Sequence, residues 1–212
     1  MTTPITTEAV AHLRRVDPVM RKLIRAVGPC LWEARGERSP YESLIRAVAH
    51  QQLHGKAAEN ILGRFIALVP KKRFPTPKDV LVMPTELLRS VGFSGAKVAA
   101  VQDIALKAEA RVVPSSAIVK KLDDETIIGR LTQVRGVGRW TVEMLLMFQL
   151  GRPDVLPVDD FGVRNGFRLT YGLSEMPKPK ALLAFGEVWR PHRSVAAWYL
   201  WRAADRARAA TS

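Results

Sequence analysis

Residues 131–160 read L-T-Q-V-R-G-V-G-R-W-T-V-E-M-L-L-M-F-Q-L-G-R-P-D-V-L-P-V-D-D, and this stretch decides the fold. Its first part has the pattern helix, turn, helix: residues 127–133 close one helix, Gly136 and Gly138 make the turn, and residues 139–150 form the next. Glycines two apart relieve the steric limit on φ and bare the amides that open the second helix. Unpaired N–H groups and the positive end of the helix dipole favour an anion there. Arg139 adds charge and Thr141 a hydroxyl, so the turn reads either as a phosphate seat or as a tight helix connection. A loop over 151–158 follows, and Asp159-Asp160 then open a further helix over 161–169. Carboxylates cap helix starts, which is one role for either aspartate.

Around this stretch lies a chain of 212 residues, nearly half apolar, long enough to bury a core as one large domain or two lobes. A single cysteine, Cys30, excludes a disulfide framework and any four-cysteine zinc or iron–sulfur site, and His12, His50, His54 and His192 form no metal-ligand motif. A reducing, cytoplasmic setting is expected, nucleoid-associated in a bacterium, with neither a signal pattern nor a membrane span. The formal net charge of +13 implies an acidic partner, nucleic acid being the commonest, although composition alone leaves a membrane surface open.

In chain order, residues 6–27 read as two helices divided at Asp17-Pro18. Ser39-Pro40-Tyr41-Glu42 combines an N-cap serine, a first-turn proline and the glutamate of a capping box. The helix it opens carries Leu44, Ile45 and Val48 at core spacing and ends in the polar run His50-Gln51-Gln52-Leu53-His54. Residues 56–69 form an amphipathic helix, 70–77 a basic, proline-rich connection, and 84–91 a short helix. A longer helix starts in Gly92-Phe93-Ser94-Gly95-Ala96-Lys97 and runs to about 111; Ser94 as N-cap and Lys97 in its first turn make either an ordinary capped helix or a second phosphate seat. Asp123 to Glu125 cap the helix that feeds the Gly-Val-Gly turn. Residues 180–188 and 192–207 form the last helices, with Trp198 and Trp201 on one face as core or pocket. No strand is evident, and about ten helices are expected.

The Gly-Val-Gly turn with an aspartate some twenty residues later resembles the signature of the helix-hairpin-helix (HhH-GPD) DNA glycosylase superfamily. The run W-R-P-H-R-S-V-A-A-W-Y-L-W over 189–201 is similar to the closing helix of its 3-methyladenine DNA glycosylase II (AlkA) type. The resemblance covers most of 40–205. It implies an all-α, two-lobed unit without the β-rich N-terminal domain of larger AlkA-type enzymes. One lobe would span 40–152, the other 1–39 plus 153–212, with a cleft between them. It implies that Asp160 is the catalytic carboxylate, with Asp159 the second choice, and that Trp140, Trp201 and Met144 line the base pocket. Met144 and Arg202 stand where the AlkA type has aromatic residues.

The resemblance further places the wedge that fills the hole left by a flipped base at Gln52, with Leu53 or the family glutamine Gln51 beside it. Gly136, Gly138, Arg139, Thr141, Ser94 and Lys97 would hold DNA phosphates. Trp140 occupies the place of the Schiff-base lysine of bifunctional members, which implies a monofunctional DNA-3-methyladenine glycosylase without lyase activity, extending to 7-methylguanine and related lesions. The expected partner is double-stranded DNA containing alkylated bases, bound by a monomer. No cofactor is required, save a structural monovalent cation at the hairpin carbonyls, bridging to DNA phosphate. Two other readings remain: a glycosylase for mismatched or deaminated bases, and a helix-hairpin-helix protein that binds damaged DNA without cutting it.

Overall fold

A computed structural model describes residues 4–34, 36, 38–53 and 55–210. Thirteen α-helices and two short 3-10 turns, with no strand, make up the secondary structure of the described residues. In order the helices are α1 (Pro4–Val16), α2 (Pro18–Val27), α3 (Pro40–His50), α4 (Gly55–Ala67), α5 (Pro77–Val82), α6 (Thr85–Ser90), α7 (Gly95–Glu109), α8 (Ser116–Val119), α9 (Asp124–Leu131), α10 (Arg139–Phe148), α11 (Phe161–Tyr171), α12 (Pro179–Phe185) and α13 (Arg193–Ala210). No helix among the described residues is long and apolar enough to cross a membrane.

The sequence expectation of about ten helices misses α5, where Thr76 and Asp79 form a reciprocal capping box around Pro77. Six residues carry too little periodicity to stand out from a proline-rich connection. The helix expected over 180–188 ends at Phe185 and tightens into a 3-10 turn, Gly186–Trp189. His54 lies outside the described residues.

The chain divides into two compact units, residues 1–35 with 146–212, and residues 36–145. The second boundary falls inside α10, short of position 152. Unit two, 36–145, is a bundle whose core is built from Leu44, Ile45 and Val48 of α3, Leu62 and Phe65 of α4, Val101 and Ile104 of α7, and Ile127 and Leu131 of α9. Phe65 meets Phe74 and Phe93 edge to face, the arrangement that ring quadrupoles favour.

Unit one packs α1, α2, α11, α12 and α13 around Leu13, Met20, Phe167, Trp189 and Tyr199. Asp17 caps α2 by accepting from the amides of Val19 and Met20. It is only 4% exposed, and it also accepts from the Tyr171 hydroxyl and from Trp189 Nε1 at 2.9 Å. The loop before α11 is pinned to the start of α13: Arg193 donates to both Asp154 oxygens, and the Ser194 hydroxyl donates to the Arg152 carbonyl at 2.6 Å while accepting from Val155 N.

At Gly166, α11 crosses α13 so closely that an added Cβ would stand 1.9 Å from the Leu200 carbonyl oxygen. Both partners are helical backbone, so neither can give way without moving a helix. Gly166→Ala is expected to cost roughly 2 to 3 kcal/mol through forced separation of the two helices, read as a lowered urea midpoint with little change in slope.

Candidate active site

The helix start expected after the long loop forms as anticipated, and its N-cap is Asp160, whose Oδ1 accepts from Val163 N at 2.8 Å. The same oxygen accepts from the Trp201 indole Nε1, also at 2.8 Å. A carboxylate oxygen has the lone pairs for both donors. Gly162 leaves room for this arrangement, since a Cβ there would lie 2.8 Å from Trp201 Cδ1 and 3.1 Å from Asp160 Oδ1. Phe148 backs the indole at 5.8 Å between ring centroids. The neighbouring Asp159 is exposed. Capping the helix and meeting the tryptophan are therefore not alternatives for Asp160, because one carboxylate oxygen does both.

Along α13, Trp198 and Trp201 have different fates. Trp198 is buried, and the Arg202 guanidinium lies over its ring at 5.4 Å while pairing with Asp205 at 2.8 Å. Only Trp201 of the two meets Asp160.

In unit two the hairpin turn forms at Gly136, whose φ of 75° is the left-handed conformation that glycine supplies at least cost. The Gly136 carbonyl accepts from the Gln51 side-chain amide at 3.0 Å, and the Val134 carbonyl accepts from Val137 N. Trp140, 47% exposed, opens α10 and lines a cavity of about 450 Å³ with Thr141, Met144, Ala47, His50, Gln51 and Gln52. Among the three wedge candidates Gln51 is tied inward. Gln52 is exposed with φ of 57°, an uncommon conformation for a residue with a Cβ, and Leu53 is exposed beside it.

Four of the phosphate-seat candidates have partners or burial within the chain itself. Arg139 is not a free cation: its guanidinium grips Glu125 with two bonds of 2.6 and 3.2 Å, and its Nε donates to Glu143 at 3.1 Å. That hold ties α9 to α10, and the nearby guanidinium lowers the Glu125 pKa while the carboxylates raise that of Arg139. The ammonium of Lys97 donates to the carbonyls of Ala49 and Gln51, each at 2.8 Å, so it satisfies acceptors at the end of α3. Burial pushes its pKa down. Ser94 caps α7 by accepting from Lys97 N, and Thr141 is a buried part of the cavity wall. What the sequence pattern lacks is the distant partner: Lys97 acts some 46 residues away, and Arg139 reaches Glu125 across the hairpin.

His50, which the sequence offers no site role, lines the cavity, and its Nε2 stands 3.1 Å from Oε1 of Glu59. Its signal is the polar residue at the end of an otherwise apolar helix face. Among the described residues no cluster of three or more histidine, cysteine or carboxylate side chains is placed to hold a metal ion.

Comparison with known proteins places these features in context. The family described as HhH-GPD superfamily base excision DNA repair protein matches residues 45–191. DNA-3-methyladenine glycosylase 1 of Schizosaccharomyces pombe is 42% identical over 197 residues, covering 92% of this chain and 86% of that protein. A solved structure of S. pombe 3-methyladenine DNA glycosylase (Mag1) in complex with abasic DNA superposes with a TM-score of 0.79 at 41% identity, covering 92% of this chain and 95% of the other. The DNA-3-methyladenine glycosidase from Bacillus halodurans gives a TM-score of 0.83 at 31% identity, with 98% and 92% covered.

Two charge-assisted bonds from one ammonium are worth roughly 2 to 4 kcal/mol when their acceptors are partly buried. Lys97→Met is expected to lower stability by about 2 kcal/mol and to speed amide hydrogen exchange at the end of α3, measured by urea denaturation and exchange mass spectrometry. Unchanged stability would return Lys97 to the role of a surface cation.

Proposed function

The chain belongs to the HhH-GPD superfamily of base excision DNA repair proteins, and from that membership we propose that it is a monofunctional DNA-3-methyladenine glycosylase, hydrolysing the N-glycosidic bond of alkylated bases flipped out of duplex DNA. The observation that carries this reading is the Asp160 carboxylate, which sits at the position the family motif assigns and is held by Trp201 Nε1 and Val163 N.

The chemistry follows from the leaving group. A purine alkylated at N3 or N7 is cationic and departs as a neutral molecule, so it needs little protonation. As the bond lengthens, positive charge moves to the sugar as an oxocarbenium ion. Asp160 is the anion that opposes this charge. At about 3.5 Å and an effective dielectric near 20, the attraction is on the order of 4 to 5 kcal/mol, or roughly three powers of ten in rate. The two donors on Oδ1 fix the carboxylate's orientation before the charge develops, which is the preorganisation that makes such a term effective.

Trp140 supports the same reading in two ways. Its exposed indole offers an electron-rich face to a cationic base. It also has no amine to form an imine with the sugar, so water is the nucleophile and no strand cleavage follows. Gln52 is the wedge, a side chain presented at a strained, exposed turn, with Leu53 beside it. The backbone amides of the Gly136 to Gly138 turn hold the phosphates, because the neighbouring cations are committed to other partners. A monovalent cation at the hairpin is compatible with the carbonyls of Val134 and Gly136, since each keeps a second lone pair after the bond it accepts.

Base release from methylated duplex DNA is the direct test. Wild type is expected to liberate free 3-methyladenine, Asp160→Asn to lose at least a hundredfold in rate, and borohydride to trap no protein–DNA adduct. Binding by both proteins with release by neither would replace the enzyme by a damage-binding protein, and a trapped adduct would overturn the monofunctional mechanism.

A further inference from the structure

Among the described residues, the cavity in unit two is lined by one ionisable side chain, which the glycosylase mechanism leaves unused. His50, the last residue of α3, lines the cavity together with Trp140, Thr141 and Met144. Its Nε2 lies 3.1 Å from Oε1 of Glu59 on α4. An ionised carboxylate only accepts, so Nε2 carries the proton and donates it. In the neutral ring the other nitrogen, Nδ1, is then an acceptor, its lone pair set by the bond on the far side of the imidazole. Among the described residues Nδ1 has no hydrogen-bond partner. The other polar cavity residues do not impose one polarity: the Thr141 hydroxyl and the Gln52 amide group each can donate and accept, and Gln51 Nε2 already donates to Gly136.

We propose that His50, with its tautomer set by Glu59, is a specificity-determining residue that favours adenine-type over guanine-type lesions; this rests on the cavity being the one that receives the flipped base. Adenine derivatives carry a 6-amino donor, which Nδ1 can accept. Guanine derivatives carry a 6-oxo acceptor, which meets Nδ1 lone pair to lone pair and leaves both groups unmatched. A site built to receive a donor rejects the analogue that lacks it much more strongly than an apolar pocket distinguishes two shapes. Stacking on Trp140 treats the two cationic purines alike, so it supplies affinity while His50 supplies the choice.

The test is the ratio of 3-methyladenine to 7-methylguanine released from dimethyl-sulfate-treated duplex DNA by the full chain, wild type and variants compared in one mildly alkaline buffer. The ratio relative to wild type is expected to fall about tenfold in His50→Ala. Glu59→Lys is the more telling variant, because Glu59 is largely exposed and the change does not disturb the core. An ammonium only donates, so it makes Nε2 the acceptor and turns Nδ1–H into a donor, and the ratio is expected to fall below that of His50→Ala. The added charge bears on both cationic bases equally and drops out of the ratio. If wild type releases both bases and neither variant shifts the ratio by more than twofold, the role of His50 is overturned while the glycosylase stands. If wild type releases neither base, the proposed function fails and this inference with it.

Discussion

The close approach of α11 and α13 at Gly166 is the constraint on which the candidate site in unit one depends. Trp201 follows Leu200, whose carbonyl faces that glycine; Gly162 lies about one turn back along α11, and Asp160 caps the start of that helix. With the crossing point fixed, the indole meets the carboxylate at 2.8 Å. The opposite end of α11 is fixed by a different device. Phe167 stacks on Tyr171 at 4.2 Å between ring centroids, Phe185 and Trp189 close around them, and Tyr171 and Trp189 both donate to Asp17. A buried carboxylate is costly unless its lone pairs are filled. Here two amides, a phenol and an indole fill them, and burial with the adjacent carboxylate pushes the Tyr171 pKa up, so the phenol keeps its proton to donate. Helix α11 is thus held at both ends, and Asp160 inherits that rigidity.

Unit two handles a different problem, a turn that must expose polar side chains while its backbone remains in place. Gln52 in the left-handed region costs on the order of 1 kcal/mol, and such a conformation persists only where its surroundings hold it. The residue before it supplies the hold twice over. The Gln51 side chain donates to Gly136 in the hairpin, and the Gln51 carbonyl receives the Lys97 ammonium from α7. One residue therefore couples the end of α3 to both the hairpin and α7. The two side chains that follow, Gln52 and Leu53, project from a backbone that is already determined.

What could be read from the chain alone divides along the same physical line. Local rules found the Asp17-Pro18 break, the Ser39 cap, the Asp123 cap, the Gly136 turn and the Asp160 cap, because each is settled by residues within four positions of one another. The pairing of Asp160 with Trp201 spans 41 residues, and it came within reach only through the resemblance of two separate motifs. Helix α5 was missed since six residues leave no period to detect, although its capping box was present in the letters. The intramolecular partners of Lys97 and Arg139 were out of reach for the same reason: a charged residue in a helix's first turn looks solvated until its distant partner is known.

Those paired cations bear on how a chain with a net charge of +13 meets an acidic partner. Bases outnumber acids so strongly that every carboxylate can be paired and a large positive excess still remains. The pairs in the structure show which cations are spent: Arg139 on Glu125 and Glu143, Arg193 on Asp154, Lys107 on Asp103. The excess acts as a field over the whole surface, screened within about 8 to 10 Å at physiological salt, and it attracts without selecting. Selection needs short-range groups of fixed polarity. On the proposed function these are neutral or fully oriented: the hairpin amides, the Trp140 face, the imidazole of His50 and the carboxylate of Asp160. Such a separation lets the protein hold any stretch of duplex by charge while leaving the choice of base to contacts that charge does not reach.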